Sequence, residues 1–313
     1  MLRFVLQRVL LALPTLLLVS VTVFVLLRLV PGDPAALMLG DLADPQAVAA
    51  LHADLGLDRT IGEQLLIWLG HVVRGDLGHS ITNGLPVLPL ILDRFSVSAT
   101  IVVAAVVLAT VIGVPAGLVA AWRQNGPLDL ATVGTATLLL SIPSFWLGLL
   151  LLLLFGLELK WVPVVGYVPF AQDFWAALLY VILPVATLVL VEMGVLTRMA
   201  RSSTLEVLRL DYITHARAKG LSEGRVLLRH ALPTAFAPTL TLIGLILGNL
   251  LGGIAVVETV FTLPGLGRLM VDAIYARDYP VIQGCLLFTA LVYVVVNLLV
   301  DLCYPLFDPR VAA

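Results

Sequence analysis

Apolar residues fall into six long runs, at roughly 9–29, 97–120, 132–156, 177–197, 235–257 and 281–303. A helix needs about 20 mostly apolar residues to cross a bilayer, and each run meets that length. The pattern predicts an all-α polytopic protein with six transmembrane helices. Arg3 and Arg8 precede the first run, as in a signal peptide. The apolar stretch is too long for a signal core and no small-x-small site closes it, so an uncleaved first span is expected.

Between the first two runs the texture changes. Residues 31–95 are predicted to fold as a small module of their own, set between an N-terminal helix (1–30) and a core of five spans (96–305), with a short tail at 306–313. In this module Asp44 can cap a helix that starts at Pro45 and ends at Gly56. Thr60 and Glu63 have capping-box spacing. Ile61, Leu65, Trp68, Leu69 and Val72 then share one helical face. Gly75-Asp76 marks a turn. Such a module either meets an external partner or packs on the ends of the spans; the two are compatible.

A second polar interval, 198–234, separates the fourth and fifth runs. Leu205, Leu208, Tyr212 and Ala216 recur at helical spacing, with Glu206, Arg209, Asp211, Arg217 and Lys219 on the other faces. Gly220 stops this helix and Ser222 can cap a second short one, while Pro233 marks entry to the fifth span. The result is a knob of two short amphipathic helices. Small residues at Ala216, Ala218 and Gly220 leave room for a partner, although an amphipathic pair lying on lipid has the same periodicity.

Pro115, Pro143 and Pro184 sit inside predicted spans. Membrane helices tolerate such bends when neighbours satisfy the freed carbonyls. Ser141-Ile-Pro-Ser-Phe-Trp146 is the most distinctive. A bend carrying the hydroxyls of Ser141 and Ser144 beside Pro143 either serves packing or lines a solute path.

Composition excludes a soluble protein. Of the 313 residues 60% are hydrophobic and 12% charged, against about 45–50% and about 25% in soluble domains. Net charge is −2 and no basic block points to nucleic acid. Orientation follows from the distribution of Lys and Arg. With the N-terminus in the cytoplasm, the inner segments 1–8, 121–131, 198–234 and 304–313 hold eleven of the eighteen Lys and Arg residues. Seven of these lie in 198–234, and six spans return the C-terminus to the cytoplasm.

Ionisable residues within spans are sparse. Glu192 lies near the inner end of the fourth run and is expected to pair with Arg198; Asp301 lies near the inner end of the sixth, and Arg28 can snorkel from the outer end of the first. Without a central acid, base or histidine, a proton-coupled carrier is disfavoured. No metalloprotease, nucleophile-elbow or phosphate-loop motif occurs, and the five histidines show no ligand spacing. Neither a catalytic residue nor a metal site is expected. Cys285 and Cys303 share one apolar run and, if it is helical, lie about 27 Å apart at 1.5 Å per residue. They cannot bridge one another.

Several motifs in order resemble one family. Thr214-His-Ala-Arg-Ala-Lys-Gly220, nine residues, then His230-Ala-Leu-Pro233 is similar to the EAA loop of ABC importer permeases. Ala216, Gly220, Leu232 and Pro233 match in register; Thr214, His215 and His230 depart from the Glu, Ala and Ile of the pattern. The run Asp211–Leu221 resembles the dipeptide/oligopeptide branch. So do Leu29-Val-Pro-Gly-Asp-Pro34, Gly56-Leu-Asp58, Arg74-Gly-Asp-Leu-Gly78, the Ser141–Trp146 stretch, Glu258-Thr-Val-Phe261, Pro264-Gly-Leu-Gly267 and Asp308-Pro-Arg310.

The resemblance implies a type I ABC importer permease fold in the inner membrane, transporting di- or oligopeptides, glutathione or nickel. It implies a second homologous permease, two ATPase subunits that bind the ATP and Mg, and an external solute-binding protein. It assigns Asp211, Thr214, His215, Ala216, Arg217, Ala218, Lys219, Gly220, Leu221, Leu232 and Pro233 to coupling with the ATPase. A secondary carrier or channel acting alone, and a purely structural scaffold, are the alternatives.

Overall fold

The structure, a computed structural model, describes residues 2–29, 44, 46, 52 and 58–307. These residues form helices joined by turns, with one isolated antiparallel bridge between His79 and Pro86. The expected Pro45 start and Gly56 end, the Val30–Pro34 part of the first motif and the Asp308–Arg310 motif lie outside the described residues.

Helix α1 (Leu2–Leu29) packs on α12 (Tyr279–Phe307), which holds both cysteines as free thiols. Arg28 lies over the Phe24 ring, 5.2 Å from its centroid. Helix α2 (Ile61–Val73) starts at the predicted capping box: the Thr60 amide donates to Glu63 Oε2 (3.0 Å), and the Glu63 amide to Thr60 Oγ1 (3.4 Å). Trp68 of α2 meets Phe24 of α1 at 5.6 Å between ring centroids. Leu65, Trp68, Leu69 and Val72 are half-buried on this side, whereas Ile61 is exposed. In the turn that follows, the Gly78 amide and then His71 donate to Asp76 and hold its carboxyl below the usual range.

The centre of the molecule is the pair α3 (Val87–Trp122) and α6 (Phe174–Val207). Helix α3 starts at Val87, ahead of the predicted residue 97. Gly113 and Gly117 let the two backbones approach: a Cβ at Gly117 would collide with the Thr197 carbonyl and Ala200. This is the small-xxx-small device of membrane helices. Pro115 and Pro184 are accommodated within α3 and α6.

The third apolar run is not one straight helix. It divides into α4 (Pro127–Ser141) and α5 (Ser144–Leu151), which continues as a π-helical turn to Glu158; the axis bends by 96°. Proline disfavours helical backbone in the residue before it, and Ile142 is accordingly extended (φ −96°, ψ 122°).

Beyond α6 come α7 (Asp211–Ala218), α8 (Glu223–Val226), a π-helical turn Leu227–Ala231 and α9 (Leu232–Gly253). Helix α10 (Ala255–Val260) and α11 (Leu266–Ala276) then lead to α12. Among the described residues, five helices are long and apolar enough to cross a membrane, and the bent α4–α5 pair brings the number to six.

The opposite end from α7 is pinned by two buried acids. Glu258 accepts from Ser98 Oγ (2.5 Å) and the Arg268 amide (2.8 Å), while Ser98 Oγ also accepts from the Leu266 amide (2.8 Å). Asp278 accepts from Ser80 Oγ (2.5 Å) and the Ile81 and Thr82 amides (3.1 and 3.2 Å). The first set seats the start of α11 against α3. The second ties the loop before α3 to the α11–α12 junction.

Candidate partner interface at the α7–α8 knob

The predicted single helix through Leu205, Leu208, Tyr212 and Ala216 is broken. Helix α6 runs to Val207, residues 208–210 turn, and α7 begins at Asp211. The buried residues are Ile213 and Ala216, while Tyr212 is exposed. Spacings of three and four were preserved across the turn, but they do not mark one continuous face.

Gly220 ends α7 in a Schellman arrangement. Its amide donates to the Arg217 carbonyl (2.9 Å) and the Leu221 amide reaches the Ala216 carbonyl (3.4 Å). Gly220 has φ +77°, and a Cβ there would meet nothing within 4 Å. The left-handed backbone requires glycine for conformational reasons, and the space beside it is open. Ser222 occupies the N-cap position of α8 but its hydroxyl makes no cap bond; its carbonyl takes the Arg225 and Val226 amides instead. Pro233 falls in the first turn of α9, directly after the wider π-helical turn, where its missing N–H is accommodated.

Arg217 is spent within the knob. Its Nε and Nη2 donate to the two Glu223 oxygens at 2.8 and 3.0 Å, clamping α7 to α8 across the glycine turn. Tyr212 Oη reaches the His230 carbonyl and Thr234 Oγ1, both at 3.3 Å. Asp211, Thr214, His215, Ala218 and Lys219 remain exposed, together with Gly220 and Pro233, while Leu221 and Leu232 are half-buried.

Ala216 points inward. It is 6% exposed and shares a core with Ile213, Val226, Leu227 and Ala231, against Val114 and Leu118 of α3 and Ala200 and Val207 of α6. Its small size therefore allows close packing within this chain rather than contact with a partner. The same core makes the knob continuous with the ends of three spans.

Other sequence candidates fare differently. The Ser141 hydroxyl donates to the Thr137 carbonyl one turn back (2.9 Å), and Pro143 and Ser144 flank the 96° bend. Glu192 and Arg198 do not pair. Six residues on a helix place two side chains about 120° apart around the axis, and neither forms a hydrogen bond or ion pair with a described residue. The ion pair that sequence reasoning missed is Asp129–Arg201, with Nε–Oδ1 at 2.5 Å and Nη2–Oδ2 at 2.8 Å. Its partners are 72 residues apart, so no local periodicity marks it. Among the described residues no group of three His, Cys, Asp or Glu is placed to hold a metal.

Helical spans, a broken third span and a compact knob between the fourth and fifth define a polytopic transporter subunit. The chain belongs to the family of inner-membrane components of binding-protein-dependent transport systems. That family's model matches residues 113–313, and the model of its N-terminal membrane component matches residues 1–104. It is similar to a putative peptide transport system permease protein of Brucella suis, 43% identical over 307 residues and 98% of each chain. It is also similar to the dipeptide transport system permease protein DppB of Escherichia coli K12, 39% identical over 335 residues and 99% of each.

Among solved structures, the inward-facing MetNI methionine ABC transporter superposes with a TM-score of 0.59, covering 70% of this chain and 96% of that one at 16% identity. That likeness shows the type I permease fold. The protein is thus a membrane-spanning permease subunit of the ABC importer type, not an enzyme, and ATP hydrolysis resides on separate subunits.

Proposed function

We propose that this chain forms half of the membrane pathway of a peptide importer. It works beside a second permease subunit, with two ATPase subunits that bind ATP and Mg and an external binding protein that delivers di- or oligopeptides. The names of its relatives supply the solute class. The N- and C-termini and the knob face the cytoplasm, in keeping with the Lys and Arg distribution. The knob is the element that docks on the ATPase.

One observation carries the coupling role. The buried face of the knob shares a core with α3, α6 and α9, while its outer face exposes Asp211, Thr214, His215, Ala218 and Lys219. A rigid element fixed to three spans moves them when it is moved, as coupling between sites through packed elements requires.

The test is reconstitution of the co-expressed subunits in proteoliposomes. ATP should drive uptake of peptides supplied with the binding protein, and a pull-down of this chain should bring down the ATPase. Uptake driven by an imposed proton gradient without ATP would establish a secondary carrier instead. Uptake of glutathione or nickel but of no peptide would reassign the solute.

A further inference from the structure

A cavity of about 290 Å³ lies where α3 meets α11, at the end of the molecule opposite the knob. Arg94 of α3 lines one side of it. Pro264 and Gly265, just before α11, and Arg268, Leu269 and Asp272 of α11 line the other. Two guanidiniums against one carboxylate leave the lining with a net positive charge. The volume is at the lower end of small-molecule sites, about 300–1,000 Å³.

Neither arginine is used up by a neighbour. Arg94 Nε stands 3.9 Å from Asp93 Oδ2, and Arg268 Nε stands 3.8 Å from Asp272 Oδ2. Both distances are beyond hydrogen-bond reach. Asp93 and Asp272 are 77% and 67% exposed, and exposed pairs of this kind contribute little. Asp93 does not line the cavity. Arg94 Nε is buried, yet among the described residues nothing accepts its hydrogen bond. A buried donor without an acceptor is costly, so the site is built for an acceptor that arrives from outside the chain.

We propose that this cavity binds a carboxylate, the terminal carboxylate of the incoming peptide, between Arg94 and Arg268. The inference rests on the peptide-import reading and the orientation given above. With the knob in the cytoplasm, the cavity opens at the external end, where solute arrives. Arg94 precedes the apolar run that starts near residue 97, so it stands outside the hydrocarbon. A guanidinium offers a planar fork of donors that matches the two oxygens of a carboxylate. Pro264 and Leu269 supply the apolar side chains of the lining, too few to wall an acyl chain. An occupant here would bridge α3 and α11, the two elements that Ser98 and Glu258 already hold together.

The test is arginine modification by phenylglyoxal, mapped residue by residue by mass spectrometry, on the assembled transporter in phosphatidylcholine proteoliposomes. Alanylalanine should slow modification of Arg94 and Arg268, and its C-terminal amide should not. Arg74, exposed on the same side, should react equally with and without either compound. Arg94→Gln should raise the alanylalanine concentration that half-protects Arg268 by about tenfold or more, the effect of losing one charge-assisted bond. Arg268→Gln should do the same for Arg94, and Arg268→Lys should fall between. Amide exchange at Leu266 should stay native in each, which separates loss of a ligand contact from loss of the α11 seat.

ATP-driven peptide uptake without protection, or equal protection by the amide, overturns the inference and leaves the import reading intact. Protection by peptide-free binding protein but not by alanylalanine would give the cavity to an acidic side chain of that protein and overturn the peptide assignment. Protection by phosphatidylglycerol in place of phosphatidylcholine, without peptide, would make it a lipid phosphate site. Quickened exchange at Leu266 in both glutamine variants would make the arginines structural. If the native assembly takes up no peptide with ATP, the import reading itself falls.

Discussion

Asp129 and Arg201 join the first turn of α4 to the projecting end of α6 through a two-pronged ion pair, and the Asp129 side chain is 3% exposed. Asp129 Oδ2 also accepts the Asn125 amide at 2.9 Å, which fixes the turn between α3 and α4. Removing one member of a buried pair costs more than the pair contributes, because the other charge stays behind.

Asp129→Leu should therefore destabilise the chain by roughly 3 kcal/mol, the low end of the usual range because Arg201 is one-quarter exposed. The double variant Asp129→Leu/Arg201→Met should recover much of that loss. Thermal unfolding in detergent, followed by tryptophan fluorescence, checks the order. A double variant less stable than Asp129→Leu would show that Arg201 has a separate structural role.

Glu258 and Gly265 make a second prediction. The carboxylate fills the space where a Gly265 side chain would be, and a Cβ there would overlap it. Gly265→Ala should expel Glu258 and unseat α11 from α3. Glu258→Gln keeps the shape but turns a donor toward a site built from donors, at a cost of about 1–3 kcal/mol. Amide exchange at Leu266 and Arg268 should quicken in both, more in Gly265→Ala. Unchanged exchange in Gly265→Ala would contradict the packing described.

These locks explain what sequence reasoning could reach. Apolar length revealed the spans, and the Thr60–Glu63 spacing revealed a helix start, because both signals are local. Gly220 was legible for the same reason. The Glu258 and Pro264–Gly267 motifs were visible as resemblances, but their relation to Ser98, 160 residues away, was not. Leu205, Leu208, Tyr212 and Ala216 misled because regular spacing persists across a break that only tertiary packing reveals. Gly113 and Gly117 did carry a readable signal, a small residue every fourth position on an apolar run, and it marks a close approach of α3 to α6.

The proposed orientation predicts thiol accessibility. With Cys285 and Cys303 replaced, Ser222→Cys should resist an impermeant reagent in intact cells and react after permeabilisation. Asp54→Cys should react in intact cells. Ser222 sits on the knob and is exposed, so poor accessibility within the fold cannot account for its protection. The reverse pattern would place the knob outside and exclude it from coupling to a cytoplasmic ATPase.

The knob itself gives the sharpest prediction, and its buried face decides which substitutions test it. Ala216→Asp is a poor probe of docking, since Ala216 lies in the core shared with α3 and α6 and a charge there would unseat the knob. Ala218 is exposed on the same short helix. Ala218→Trp should leave unfolding and membrane abundance near those of the native chain while blocking a close-fitting partner. Gly220 separates backbone from contact in two steps. Gly220→Ala meets no neighbour and should cost only about 1 kcal/mol for the left-handed backbone. Gly220→Val, β-branched at positive φ, should distort the turn and with it the Arg217–Glu223 clamp. ATPase pull-down should then fall slightly for Gly220→Ala and strongly for Gly220→Val and Ala218→Trp. In reconstituted vesicles the last two should lose solute-stimulated ATP hydrolysis together with uptake. Native levels of pull-down and stimulation in Ala218→Trp would show that the exposed face of α7 is not where the ATPase docks.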